Sequence, residues 1–301
     1  MYWQTSRFRI DLYEPQVMGI VNLTPDSFSD GGKYASTSAA LEHAERMLKE
    51  GATILDVGGE STRPGSPAVS ADEEWARLQG FLHEALRWNV PLSIDTYKRE
   101  TMRKALDMGI DIVNDIRALQ SPGALDVIAG HPLCGVCLMH MHGDPQTMQV
   151  APMQGDAVPV VLDFLTRRVS ELTQRGIKSS RIVLDCGIGF GKTVEQNFSL
   201  LARQNEILKL GYPLLAGWSR KSSLGAVLAR QGGSEREPAE RVNASVAAAL
   251  MSVERGAQIV RVHDVRQTVE ALCVWKYTRS IASGIASPLQ SIKSDSRYIR
   301  D

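Results

Sequence analysis

Short apolar runs rich in Val, Ile and Leu alternate along the chain with longer amphipathic stretches, a pattern that predicts parallel strands joined by crossover helices. Eight candidate strands follow: QVMGIVN (16–22), TILDVG (53–58), PLSIDT (91–96), DIVND (111–115), GVCLMH (135–140), RIVLD (181–185), PLLAGW (213–218) and AQIVRVHD (257–264). Helical patterns lie between them. In SAALEHAERMLKEG, Leu41, Ala44 and Leu48 share a face and Gly51 supplies the stop. ADEEWARLQGFLHEAL, KRETMRKALDMG, VPVVLDFLTRRVSELTQRG and AERVNASVAAALMSVERG read in the same way. Eight such units fit an α/β fold of the single-domain (β/α)8 TIM-barrel kind better than a doubly wound sheet, whose first strand ends in a Gly-rich turn. Here that strand runs into Asn22-Leu23-Thr24-Pro25. The barrel domain is expected over 1–283, with a short N-terminal hairpin around 8–12 closing its bottom. Residues 284–301 are polar and aperiodic, and predict a flexible, disordered tail.

Composition narrows the function classes. Of 301 residues, 43% are hydrophobic and 23% charged, which is ample for a core. Lys plus Arg and Asp plus Glu both number 34, so no overall field recruits nucleic acid or an acidic membrane surface. An anionic ligand must be met by local charge. Four Cys are too few for a disulfide framework, and the first fifteen residues carry Arg7, Arg9, Asp11 and Glu14 with no apolar signal core. No apolar run approaches the roughly 20 residues of a membrane helix. These features predict a cytoplasmic, reduced protein with small-molecule partners.

In a barrel of this type, function belongs at the C-terminal ends of the strands. Polar residues collect there: Asp56 and then GGESTRPG (58–65), Asp95-Thr96, Asn114-Asp115, Asp185, Ser219-Arg220-Lys221-Ser222, and Arg261 with His263. Period-two alternation puts Asn114 in phase with Ile112, Asp185 with Val183, and Arg261 and His263 with Ile259. A lone strand-end Asp most often caps the next helix, and Asp115 needs no other role. Capping does not explain Asp95, Asn114 and Asp185 at the mouths of three strands, which suit a polar heterocycle with amide-like edges. Arg63, Lys221, Arg261 and His263 concentrate positive charge where an anion would sit. Arg220 alone reads as a surface ion pair. Ser222 stands at a helix start, where its hydroxyl and the helix N-terminus suit a carboxylate. The loop after Asn22 is long and polar, with Phe28 as its one aromatic, and Thr24 to Gly32 reads as a mobile cover.

Three motifs resemble other chemistry. CGIGFGKT (186–193) is similar to a phosphate-binding P-loop, but Cys186 fills its first Gly position and Gly187 comes one residue late. Cys134 and Cys137 form C-x-x-C, yet within a strand i and i+3 point to opposite faces. His140 and His142 lack a third metal ligand, and hydrogen bonding within the loop is the expected role.

The stretches MGIVNLTPDSFSDGG, DVGGESTRPG, SIDT, NDIR, CLMHM, LDCGIGFGK, SRKS and IVRVHDV, in order and at strand ends from about residue 16 to about 278, together resemble the dihydropteroate synthases of folate biosynthesis. The resemblance implies a homodimeric, Mg2+-dependent transferase, and a sulfonamide target. It would condense 6-hydroxymethyl-7,8-dihydropterin pyrophosphate with p-aminobenzoate, giving 7,8-dihydropteroate and pyrophosphate. Carried over by position, the pterin pocket resembles Asp95, Asn114, Met139, Asp185, Gly217 and Lys221, with Thr62 near the pterin end. Pyrophosphate would be held by Asn22, Arg63, Arg261 and His263, with Asn22 helping to hold Mg2+. The p-aminobenzoate would lie among Phe28, Pro64, Phe190 and Ser222. Asp95, Lys221, Arg261 and Arg63 carry the chemistry in this picture, and Arg261→Ala would remove turnover with the fold intact. Cys186 departs from the family, which commonly has Pro there; losing its fixed φ is expected to loosen the turn that aims Asp185 and Phe190. Two other readings share the pocket: a pterin-binding methyltransferase module serving a corrinoid protein, and a non-catalytic pterin binder. The first has no reason for a pyrophosphate site, which Arg63, Arg261 and His263 argue for, and retention of Asn22, Arg63, Lys221 and Arg261 counts against the second.

Overall fold

The computed structural model describes residues 1–24, 32–61, 65–144, 148, 150–230, 236–282 and 298–300. An N-terminal hairpin of β1 (Tyr2–Gln4) and β2 (Phe8–Asp11) is followed by β3 (Gln16–Asn22), α1 (Gly32–Lys49), β4 (Ile54–Gly58), α2 (Ala71–Ala85), β5 (Leu92–Asp95), α3 (Arg99–Met108) and β6 (Ile112–Asp115). Then come α4 (Ala124–Gly130), β7 (Gly135–Met139), α5 (Ala157–Gln174), β8 (Ile182–Asp185), α6 (Val194–Ala202), α7 (Gln204–Leu208) and β9 (Leu214–Ala216). The last elements are α8 (Ser222–Arg230), α9 (Val242–Glu254), β10 (Ile259–Val262), α10 (Val265–Ala282) and β11 (Tyr298–Arg300). β3 to β10 close into a parallel eight-stranded barrel in chain order, with β10 beside β3. All eight predicted strands are therefore present. They were legible because a barrel strand is buried on both faces and reads as an apolar run.

Side chains sort by the two-residue period. Val17, Val21, Leu55, Val57, Ile94, Val113, Val136, Leu138, Leu184 and Val260 point outward into the core shared with the helices. Met18, Ile54, Ile112, Cys137, Val183, Leu215 and Ile259 point inward and form an apolar floor. Trp3, Phe8, Ile10 and Leu12 of the hairpin pack under that floor and seal the barrel from below, as the sequence predicts. Trp3 donates its indole N–H to the Arg181 carbonyl at 2.9 Å. Arg7 fastens the hairpin: Nη2 lies 2.6 Å from the fully buried Asp111 carboxylate, and the guanidinium also reaches the Leu86 and Val90 carbonyls. Of the segment after 282, the described residues 298–300 run antiparallel to β2. A third strand on the hairpin is thus found where the sequence reading expected only an aperiodic tail; three residues are too few to carry a legible period.

Candidate active site

The site stands two residues above the floor. Along the strands, Ile54 is followed by Asp56, Ile112 by Asn114, Cys137 by Met139, Val183 by Asp185, Leu215 by Gly217 and Ile259 by Arg261. The same alternation that points an apolar side chain inward points the next-but-one inward at the mouth. Asp95 completes the ring, in register with Gly58 on one side and Asn114 on the other.

Arg261 binds this ring together. Its Nε lies 2.5 Å from Asp56 Oδ2 and its Nη2 2.6 Å from Asp95 Oδ2. Asp56, which is fully buried, also accepts the Asn114 side-chain N–H at 3.0 Å. One guanidinium serves two buried carboxylates. Burial accordingly holds Asp95 above the ordinary carboxylate range despite the pull of Arg261, and the neighbouring Asp56 adds to the rise. Asp185 is raised by burial too, although its Oδ1 accepts the Gly187 N–H at 2.7 Å. Lys221 is pushed down to about 8 by burial and by the charge of Arg261, against the attraction of Asp185 and Asp95.

Two loops complete the mouth. After β8, Gly187, Gly189 and Gly191 all adopt positive φ (67°, 82° and 67°), and a Cβ on Gly187 would stand 1.8 Å from the His140 carbonyl oxygen. This turn carries Phe190 onto Ile116, Met139 and Met148. After β9, Arg220 takes a left-handed φ of 60° and is spent on a paired contact with Asp264, at 2.6 and 3.1 Å, as its sequence reading anticipates. That leaves Lys221 directed inward, its Nζ 4.2 Å from the Phe190 ring centroid, and Ser222 exposed at the first position of α8. Ser219 links this loop to β10 through His263 Nδ1 at 2.9 Å.

A family model described as pterin binding enzyme matches residues 18–263, from β3 to the end of the barrel. The chain belongs to the pterin-binding enzyme family. Among the relatives of this pterin-binding enzyme is a dihydropteroate synthase of Neisseria meningitidis serogroup B, 52% identical over 279 residues, covering 91% of this chain and 96% of the relative. The solved Burkholderia cenocepacia dihydropteroate synthase, complexed with 7,8-dihydropteroate, is 48% identical with a TM-score of 0.85, covering 94% of this chain and 98% of that one. A Xanthomonas albilineans dihydropteroate synthase with 4-aminobenzoic acid gives 44% identity and a TM-score of 0.84, covering 92% and 99%.

Of the site residues read from the sequence, the barrel of this pterin-binding enzyme brings together Asp95, Asn114, Met139, Asp185, Gly217, Lys221, Arg261 and His263 at one mouth, with Asn22 at the end of β3 and Phe190 and Ser222 on its rim. Phe28, Thr62, Arg63 and Pro64 lie outside the described residues. The chain leading to 62–64 is anchored: Glu60 accepts from Tyr97 at 3.0 Å and pairs with Lys98, which also meets the buried Glu74.

Three expectations are corrected. The acidic pocket and the cationic site are not separate, because Arg261 bridges Asp56 and Asp95. Arg261 is thus also the counter-ion of the ring, and its loss is expected to weaken the fold as well as turnover. The His140 ring makes no hydrogen bond at Nδ1; it packs edge-on against Phe164 with centroids 5.0 Å apart, and burial pushes it down to about 3. The turn at Cys186 does not depend on a fixed φ there, since the Asp185 carboxylate, Asn197 (2.9 Å to the Gly189 N–H) and Lys192 all hold it. Cys134 and Cys137 do fall on opposite faces as expected, one in the outer core and one in the floor.

Two residues were visible in the sequence but carried no site role there. Asp56 had the right phase, two past Ile54, but its partner is 205 positions away. Lys192 was signalled only by the P-loop-like glycines.

Proposed function

We propose that this chain catalyses the dihydropteroate synthase reaction, joining 6-hydroxymethyl-7,8-dihydropterin pyrophosphate to p-aminobenzoate in folate biosynthesis. The observation that carries the proposal is the ring of Asp56, Asp95, Asn114 and Asp185 crossed by Arg261, in a chain whose relatives bear that name over most of its length. Asn114 and the carboxylates offer acceptors to the ring N–H groups of a pterin, Met139 an apolar flank, and Gly217 a place where the ring meets backbone. Lys221 supplies a donor from the rim, and Thr62 belongs near the pterin end.

The leaving pyrophosphate faces Arg261, His263, Asn22 and Arg63. The five N–H groups of a guanidinium exceed the two bonds that Arg261 makes to Asp56 and Asp95, so an anion above the ring can share it. As the C–O bond of the pterin methylene breaks, its electron pair leaves with pyrophosphate and the carbon becomes cationic. The buried carboxylates of Asp56, Asp95 and Asp185 stabilise that charge without reorganisation. The aniline nitrogen attacks the carbon and then loses a proton. No protein nucleophile takes part, consistent with Cys137 and Cys186 thiols that burial holds well above neutrality.

Asn22 ends β3 half-buried at the mouth, and among the described residues no cluster of three or more His, Cys, Asp or Glu forms a protein cage. One amide oxygen with substrate phosphates and water is a donor set that suits Mg2+. Bound there, Mg2+ would neutralise charge on the departing pyrophosphate. The p-aminobenzoate lies against Phe190, over whose ring Lys221 Nζ sits, with its carboxylate at Ser222 and the start of α8; Phe28 and Pro64, outside the described residues, are assigned to the same substrate.

The same reading makes the chain a cytoplasmic homodimer. Val274, Tyr277 and Ile281 expose an apolar stripe on α10, and Met251 is exposed on the neighbouring α9, which suits a second copy. No described helix is long and apolar enough to cross a membrane. The test is to supply the pterin pyrophosphate, p-aminobenzoate and Mg2+ and measure pyrophosphate release. Release is expected; a folded protein that binds pterin without releasing pyrophosphate would be a binding or methyl-transfer module instead.

A further inference from the structure

The P-loop-like motif reads in reverse once folded. Its glycines do not turn amide N–H groups toward a phosphate; the carbonyls turn toward the ammonium of the motif's own lysine. Lys192 Nζ donates to the carbonyl oxygens of Gly187 at 2.8 Å, Phe190 at 3.1 Å and His140 at 3.2 Å, and the residue is almost wholly buried. An ammonium has three N–H donors and each finds a carbonyl. Two of these carbonyls belong to the turn that carries Phe190, and the third to the end of β7, so one atom ties the turn to the neighbouring strand. The left-handed conformations of Gly187 and Gly191 bring the turn this close, since a Cβ on Gly191 would meet the His142 carbonyl at 2.1 Å.

We propose that Lys192 is a positioning residue for p-aminobenzoate: its three-carbonyl tripod holds the turn so that the Phe190 ring forms a fixed wall of that substrate's site. Lys192 lies behind the turn and touches no substrate in this picture. Asn197 adds a second tie, accepting the Gly189 N–H and donating to the Ser223 hydroxyl at 2.9 Å, which links the turn to the start of α8. The ammonium is costly to keep, since burial lowers it to about 7, and the nearby Asp185 resists that fall while Lys221 adds to it. A buried charge retained at such a cost suits a group that sets geometry.

The inference rests on the reading of Phe190 as part of the p-aminobenzoate wall, and a double-mutant cycle separates the two. KM and kcat are measured for p-aminobenzoate in Phe190→Leu, Lys192→Gln and the double variant, with folding followed by urea denaturation. Each single change is expected to raise KM about tenfold with kcat little altered, and the double variant no further than the larger single effect, because contacting residues in one unit do not add. Loss of folded protein alone would lower apparent kcat and leave KM unmoved, and that result overturns the inference. So does a double variant whose effects multiply, or a raised KM in Phe190→Leu with a normal one in Lys192→Gln. An unchanged KM in Phe190→Leu overturns the p-aminobenzoate reading, and the inference with it. If Lys192→Gln does not fold, Lys192→Arg, which keeps the charge but cannot gather three carbonyls on one nitrogen, is read by the same criteria.

Discussion

Arg261→Ala tests the ring most directly. The guanidinium lies 2.5 Å from Asp56 and 2.6 Å from Asp95, side chains only 0% and 14% exposed. Removing it leaves two buried carboxylates facing each other with no cation between them, and the pair must take up a proton. That uptake costs no more than titrating an ordinary aspartate of pKa about 3.9, at about 1.4 kcal/mol per pH unit, hence about 4 kcal/mol at pH 7 and about 1.5 kcal/mol at pH 5. The sign follows from proton counts. The folded variant binds a proton that its unfolded chain releases, so its stability falls as pH rises from 5 to 7. Urea unfolding of wild type and variant at both pH values is expected to give a difference of about 3–4 kcal/mol at pH 7 that shrinks to about 1–2 kcal/mol at pH 5. Pyrophosphate release by the folded fraction should fall by about 10² or more, since a cation facing the leaving group is gone. A destabilisation that is equal at the two pH values, or below about 1 kcal/mol at pH 7, would refute the shared-counter-ion reasoning.

Three further outcomes are expected. Arg7→Ala, which strands the buried Asp111 carboxylate under the barrel, should cost about 3–5 kcal/mol in urea unfolding; a loss within about 0.5 kcal/mol, as at an ordinary surface site, would mean that the hairpin is not a structural plug. Because burial raises Asp95, its ionised, pterin-accepting form is lost as pH falls at values above the ordinary carboxylate range, so the acid limb of kcat/KM should lie above about pH 4 and should vanish in Asp95→Asn. A limb that persists in the variant assigns it to another group. Val274→Glu should convert dimer to monomer by sedimentation equilibrium, and an unaltered dimer would move the interface away from α10.

What was legible in the sequence follows the range over which its signals act. Ile112 and Asn114, Val183 and Asp185, Ile259 and Arg261 are pairs two residues apart, and the strand period alone sets them on one face. Arg261 and Asp56 share that phase too, yet nothing local says that the cation of the last strand crosses the barrel to the acid of the second. The turn after Asp185 failed differently. Its glycines rightly signalled close backbone approach, but Gly-rich spacing does not say whether N–H or C=O groups converge, and here a lysine inside the turn decides the matter. The Arg220–Asp264 pair, 44 residues apart, could be anticipated because an exposed strand-end arginine has few other uses.

The hairpin plug has a consequence for traffic. With Trp3, Phe8, Ile10 and Leu12 packed under the floor, the described residues close the barrel from below, and molecules bound in it share the mouth. Whatever settles on Asn114 and Asp185 lies deepest, and whatever rests on Phe190 and Ser222 lies nearer the exit. In the proposed arrangement the pocket works as a stack: a pterin on Asn114 and Asp185 lies beneath the ring resting on Phe190, and the joined product, spanning both levels, departs only when the outer level is free to move.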